Sequence, residues 1–576
     1  MEVYRPGWVQ EFARIYFTGT ISQFILHGNI VDYVRVEDSS GVRYPKLRDY
    51  LQNDLFKKRD AVIRYDRASG ITFRTPEMRK DFFQVLQSYD TLHGTNFCQN
   101  LPRDPVQAFA ILENYFYRRL TEGKKIAFIV DYADTLVPMS TGGGISSQDR
   151  ALLVYLLRWG GESLFLENDM TVVLLTDSLQ EMHQQIIRCP YTAEIEIPYP
   201  DEDERLKFIR HFVEKTPKVV EKLDMTEAVL AKNTAGMSLV QLRTLLAQIH
   251  REETKFTHKA LTERKKAVIE SEAGGLLEFV ETKYDLDAVA GHAFAKKHLR
   301  AAAAALKNGR GDVLPMGYLI NGPVGTGKTF LVACFAAEIG IPMVSLKNFR
   351  SQWQGVTEAN LEKVLKLLKA MSPVAVMIDE ADAYLGNRNM QGDSGVSSRV
   401  FSMIASFMSN TENRGKIIWF LLTARPDLMP VDLKRQGRAE EHIALFYPQT
   451  IEEKRELLAA MLKKTRIAEV SADDFDEEFF FSLTVLSGAD MEAALTRAKF
   501  RAAADNLPVS REMIVEAFAD FIPPTYPDEI ELMNHVAVLE CTSRELLPEC
   551  YRNVSRDEIV ERVEELKRKV AQRNLA

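Results

Sequence analysis

The run Gly322-Pro323-Val324-Gly325-Thr326-Gly327-Lys328-Thr329 is the segment of this sequence best suited to hold a strong anion. Its glycines let the backbone curl tightly enough to turn successive N–H groups onto one charge. A strand over Met316–Asn321 is expected before it, and a helix over Phe330–Ile339 after it. That helix presents its positive end to the same anion. Lys328 can reach the β- and γ-phosphates of a nucleotide, and the Thr329 hydroxyl can ligate Mg²⁺. Strand, glycine-rich loop and helix, with Lys-Thr at the junction, make a triphosphate cradle, so ATP with Mg²⁺ is the expected ligand.

Further on, Val374-Ala375-Val376-Met377-Ile378 runs into Asp379-Glu380. An apolar run ending in two acids places both carboxylates at the C-terminal edge of a buried parallel strand, where α/β sheets hold their ligands. There Asp379 can hold the Mg²⁺ shell and Glu380 can polarise the attacking water as general base. Thr423 ends another apolar run, Lys416–Thr423, and adds a hydroxyl.

Elements that could position these groups occur twice along the chain. Apolar β-rich runs alternate with amphipathic helical segments, the pattern of parallel α/β sheets. The first set is Gln23–His27, Lys125–Asp131, Thr171–Thr176 and Ala193–Pro198; the second is Met316–Asn321, Val374–Asp379 and Lys416–Thr423. Helices that read as a lid follow each set, over 201–250 and 451–521. Between the sets, charged Arg251–Lys283 is interrupted by Gly274-Gly275 and marks the boundary. Near the end, Ser555-Arg556-Asp557-Glu558 has capping-box spacing and opens a helix with Ile559, Val563, Leu566 and Val570 on one stripe. That stripe spans too few heptads for a long coiled coil and is expected to dock on a neighbouring domain or subunit.

At 576 residues the chain is too long for one core. A net charge of −8 disfavours nucleic acid as a partner. The five cysteines show no CxxC spacing, which argues against a zinc site or disulfide framework. None of the ten histidines is followed by Glu, so a fused HExxH protease is set aside. No signal peptide and no membrane-spanning run is expected, which points to a cytoplasmic protein.

The first set lacks the chemistry of the second. After its first strand the chain reads His27-Gly28-Asn29-Ile30-Val31-Asp32-Tyr33, with one glycine and no Lys-Ser/Thr pair. Its acidic strand end reads Asp131-Tyr132-Ala133-Asp134, with Tyr132 in the place of the base. Gly142–Gly144 reads as a flexible loop, because no Lys-Ser/Thr follows.

Region 284–523 resembles the AAA ATPases in the narrow sense, the kin of valosin-containing protein, katanin and spastin. The resemblance rests on Tyr284-Asp-Leu-Asp-Ala-Val-Ala-Gly291, the phosphate loop, Asp379-Glu-Ala-Asp382, Thr423-Ala-Arg-Pro-Asp427, Arg435-Gln-Gly-Arg438 and Ser487-Gly-Ala-Asp490. It implies a P-loop NTPase large domain over 284–447 and a helical lid over 448–523. A degenerate AAA-like domain with its own lid, 1–255, is expected before them, with a linker over 256–283 and a helical tail over 524–576. Arg435 and Arg438 stand where the family carries arginine fingers acting on a neighbour's γ-phosphate, which implies a homohexameric ring. Trp353 and Gln354, in Ser351-Gln-Trp-Gln-Gly355, resemble the first pore loop that grips a polypeptide, and Asn387–Val396 occupies the place of the second. The family's sensor Asn, which orients the attacking water, is Ala424 here, which implies slowed hydrolysis or a water held differently. The implied function is ATP-driven remodelling, unfolding or disassembly of a protein substrate or its adaptor complex. The alternatives are a nucleic-acid-associated loader or regulator, and a slow ATP-binding switch.

Overall fold

The computed structural model describes residues 5–38, 41–139, 146–252, 255–347, 356–385, 396–483, 487–522 and 526–573. They fall into two compact units, Met1–Ala273 with Trp353–Ala370, and Gly274–Gln352 with Met371–Ala576. Gly142–Gly144, Trp353, Gln354 and nearly all of Asn387–Val396 lie outside the described residues.

The first unit contains β1 (Gln23–Gly28), a small hairpin of β2 (Val36–Asp38) and β3 (Gly41–Arg43), then β4 (Ala61–Asp66), β5 (Gly70–Phe73), β6 (Ile126–Val130), β7 (Met170–Thr176) and β8 (Thr192–Ile197). Its main sheet has the order β5-β4-β6-β7-β1-β8. All neighbours are parallel except the edge strand β5, which pairs antiparallel with β4. Every residue of β6 and β7 is buried, as expected for parallel strands covered on both faces. One face packs on Phe109, Phe116 and Trp159, the other on Phe12, Leu47 and Phe56. Helices Glu202–Lys215, Glu227–Asn233 and Leu239–Arg251 form the lid around Phe208, Leu230, Leu242 and Leu246. Part of the stretch read as linker is ordered with them: helix His258–Glu272 buries Leu261 and Ile269. Its charged residues hid two apolar anchors.

The second unit contains β9 (Leu277–Phe279), β10 (Gly317–Asn321), β11 (Met343–Leu346), β12 (Val374–Ile378), β13 (Ile417–Thr423) and β14 (Glu441–Ala444), in the order β14-β10-β13-β12-β11-β9. Only β9, at the edge, is antiparallel. The connectivity β8-β1-β7-β6-β4 of the first sheet therefore repeats in the second as β14-β10-β13-β12-β11. The chain carries one P-loop-type parallel sheet twice, each followed by a helical lid. The second lid, helices Ile451–Thr465, Glu477–Ser482, Gly488–Ala504 and Arg511–Ala519, packs around Leu458, Phe480 and Leu495. The final helix, Arg556–Arg573, buries Ile559, Val563 and Leu566 against Leu532 and Val536 of Pro527–Glu540. Its apolar stripe is thus covered within its own unit. Among the described residues no helix is long and apolar enough to cross a membrane.

Candidate active site

Strand β10 ends at Asn321, and the chain turns at Gly322 with φ 133°. A Cβ there would meet the carbonyl oxygen of Leu445, just beyond β14, at 2.0 Å. Only glycine fits such an approach at such a φ. The turn delivers Gly327 to the N-cap of helix Lys328–Ile339, so the first-turn amides of that helix open onto the loop. Two contacts that sequence alone did not suggest hold the loop: Tyr447 Oη donates to the Val324 carbonyl at 2.7 Å, and His292 Nε2 lies 3.0 Å from the Thr326 carbonyl. The Thr326 hydroxyl turns back to the Pro323 carbonyl at 3.0 Å. These contacts take carbonyl oxygens, the groups a bound anion would repel. Val324 and Phe330 are exposed beside them.

Lys328 Nζ donates to the carbonyls of Gly322 and Pro323, both at 2.8 Å. Burial pulls its pKa down to about 8, against the raising effect of Asp379 and Asp382. It is an ammonium held over the loop by weak neutral acceptors, ready to exchange them for phosphate oxygens. The Thr329 hydroxyl donates to Asp379 Oδ2 at 3.0 Å, which joins the loop to the end of β12. Glu380 follows in a left-handed backbone, φ 48°, and its amide donates to Asp379 Oδ1 at 2.9 Å. That twist turns the chain out of the strand direction, and both acids are exposed. Thr329 and Asp379 offer the hard oxygens that Mg²⁺ favours, with phosphate and water to complete its shell. The residues present fit ATP with Mg²⁺.

Thr423 is buried at the end of β13, next to Asn321 in register. Its hydroxyl donates to Asp382 Oδ1 at 2.6 Å and accepts the Arg425 amide at 2.9 Å. Ala424, which follows Thr423, brings no polar side chain. Among the described residues neither polar atom of the Asn321 side chain has a partner, although the residue is fully buried. Ser487, the N-cap of lid helix Gly488–Ala504, closes on the loop: a Cβ on Gly325 would stand 2.8 Å from Ser487 Cβ. Arg435 is exposed beyond the short helix Val431–Lys434, and Arg438 donates to the Asp432 carbonyl at 2.6 Å within that turn.

Residues 318–447 match the family model "ATPase family associated with various cellular activities (AAA)". Residues 3–198 match "AAA+ chaperone, N-terminal Rossmann-like domain", and 203–274 match "AAA+ chaperone, second helical domain". The chain belongs to the AAA family. It is an ATPase of that family preceded by an AAA-chaperone N-terminal region. It is 26% identical over 453 residues to the AAA domain-containing protein ycf46 of Gracilaria tenuistipitata var. liui, covering 76% of this chain and 85% of that one. The cell division cycle protein 48 homolog of Archaeoglobus fulgidus is 28% identical over 236 residues, 38% of this chain and 32% of that one. The peroxisomal ATPase PEX6 of Candida glabrata is 30% identical over 191 residues, 32% of this chain and 18% of that one. The AAA match covers the phosphate loop, the Asp379-Glu380 pair and both arginines, while the N-terminal matches cover the unit in which those groups are replaced.

Proposed function

We propose that the chain acts as a homohexameric AAA ring that spends ATP hydrolysis on remodelling or unfolding a protein substrate drawn through a central pore. Lys328 leaves the carbonyls of Gly322 and Pro323 for the β- and γ-phosphates. Thr329 and Asp379 hold Mg²⁺, which when bound draws charge off the phosphate oxygens. Glu380 takes the proton of the attacking water.

The observation that carries the ring is Arg435. An exposed guanidinium, set on a turn that Arg438 braces through the Asp432 carbonyl, suits delivery to a neighbouring subunit's γ-phosphate. The two arginines thus divide the work, Arg435 as finger and Arg438 as its support. Trp353 and Gln354 grip the substrate, a task for which a large flat side chain needs little sequence match.

The test is a trap. Glu380→Gln is expected to bind ATP without turnover, to run as a hexamer by light scattering, and to retain protein clients after nuclease treatment. Recovery of nucleic acid alone, or a monomer at saturating ATP, overturns the reading. Ala424 and the Thr423 hydroxyl bonded to Asp382 favour a second reading, a slow switch, which wins if the wild type binds ATP tightly with no measurable turnover.

A further inference from the structure

The loop after β1 in the first unit is the structural counterpart of the phosphate loop. Gly28, φ 100°, would place a Cβ 2.8 Å from the carbonyl oxygen of Ile197 at the end of β8, the approach that Gly322 makes to Leu445. Beyond Gly28 the two loops part. Asp32, only 4% exposed, accepts the backbone amides of Leu239 at 2.9 Å and Val240 at 2.8 Å. Asn29 Nδ2 steadies the same carboxylate at 2.8 Å. Leu239 and Val240 open the lid helix Leu239–Arg251, whose third amide, that of Gln241, goes to the Ser238 cap.

The matching lid helix of the second unit, Gly488–Ala504, is capped in the same way by Ser487 with Asp490. Among the described residues no acceptor takes the amides of Gly488 and Ala489. Among the described residues the second unit thus offers no acceptor, beside its phosphate loop, to the two donors that the first unit satisfies from within. The acid at the strand end differs likewise. Asp379 is exposed and, among the described residues, hydrogen-bonds Thr329 and its own neighbour's amide, whereas Asp131 is buried between Arg64 at 2.6 Å and Arg48 at 3.1 Å. The cleft beside Asp32, lined by Trp8, Asn29, Tyr44 and Ile197, encloses about 50 Å³. Small-molecule sites run to roughly 300–1,000 Å³.

We propose that the first unit is permanently latched by internal substitutes for a bound nucleotide: Asp32 stands in for a phosphate on the lid helix, and Arg48 with Arg64 stand in for the metal on Asp131. A carboxylate on two helix-terminal amides is a charge-assisted contact reinforced by the helix dipole. Unlike a nucleotide it cannot be hydrolysed or released. The lid of the first unit therefore stays closed through every turnover, while that of the second opens and closes.

Hydrogen exchange read by mass spectrometry on the full chain tests this. In the wild type, peptides over 239–251 are expected to exchange slowly and identically with and without MgATP, while those over 487–504 gain protection with nucleotide. Asp32→Ala is expected to speed exchange at the start of helix Leu239–Arg251 by about tenfold or more, with or without nucleotide, as two charge-assisted bonds are lost. Asp32→Asn, which keeps one acceptor oxygen, should fall between. Unchanged exchange in both variants overturns the latch. So does MgATP protection of 239–251 in a Lys328→Ala background, a measurement that needs no variant of Asp32. If the wild type binds no ATP, the Asp32 comparisons still decide the latch.

Discussion

Tyr132 and Glu380 share a left-handed backbone, φ 53° and φ 48°, and each follows directly on the aspartate that succeeds a fully buried central strand of its unit. A non-glycine residue in that region is strained by about 1–3 kcal/mol, which the surrounding sheet must offset. The strain persists at Tyr132, where no carboxylate stands. At Tyr132 the ring lies under the Arg48 guanidinium, 4.6 Å from its centroid. Restoring the acid should therefore restore no chemistry. With Lys328→Ala silencing the second unit, adding Tyr132→Glu should leave phosphate release at background, because Asp131 stays bound to two arginines and the loop carries no Lys-Ser/Thr pair. Turnover above the single variant would contradict this.

On the proposed mechanism Ala424 leaves the attacking water one orienting donor short, and the Thr423 hydroxyl donates to Asp382. Ala424→Asn should raise kcat. One recovered hydrogen bond contributes about 1 kcal/mol, hence about fivefold in rate. Steady-state assays at saturating ATP measure it, and an unchanged or lower kcat means that the water is held by another group.

Burial holds the Lys328 ammonium down at about 8, and phosphate oxygens would return it toward the ordinary lysine value. Binding should then take up protons. Below pH about 8 the lysine is already charged and affinity is at its plateau; as pH rises through 8, each binding event must first protonate Lys328, and affinity falls. Calorimetric titrations in two buffers of different ionisation enthalpy, at pH 7 and pH 9, should show proton uptake at the higher pH alone. Equal uptake at both would place the shift on another group.

Arg435 is exposed and Arg438 is engaged with its own turn, so the two should fail differently. Arg435→Ala should keep ATP affinity and lose about 10³-fold or more in kcat, the scale of an arginine finger. Mixed with Glu380→Gln subunits, it should recover part of that activity, since each protein supplies what its neighbour lacks. Arg438→Ala should also lower the melting temperature. Full activity of Arg435→Ala would remove the trans contact from the mechanism.

Much of this is legible in the order of the residues. The phosphate loop and the Asp379-Glu380 edge announce themselves because backbone wrapping and metal binding demand particular residues at fixed spacing. Both sheets were visible through their long apolar strands. Of the short or polar strands, β8 was visible through its alternation, whereas β11 and β14 were not. Met343–Leu346 is too brief for a period to emerge, and β14 carries Glu441 and His442, whose ring nitrogens lie 2.7 and 2.9 Å from carbonyl oxygens of Glu540 and Ala439. Arg64 in the middle of β4 and Arg48 before it look like surface charge until Asp131 comes between them. Asp32 was hidden most completely: its partners lie more than two hundred positions away along the chain, and nothing local shows that an acid in a broken loop caps a distant helix.

Gly28 has a bearing on how relatives of this chain should be compared. Its neighbour's carbonyl leaves no room for a side chain at that turn, so drift at the position is penalised by the sheet itself, with no help from any ligand. A glycine found there in a related sequence is thus evidence of shared architecture and says nothing about nucleotide. The informative position for telling whether a relative shares the latch is Asp32, whose carboxylate accepts the first two amides of the lid helix.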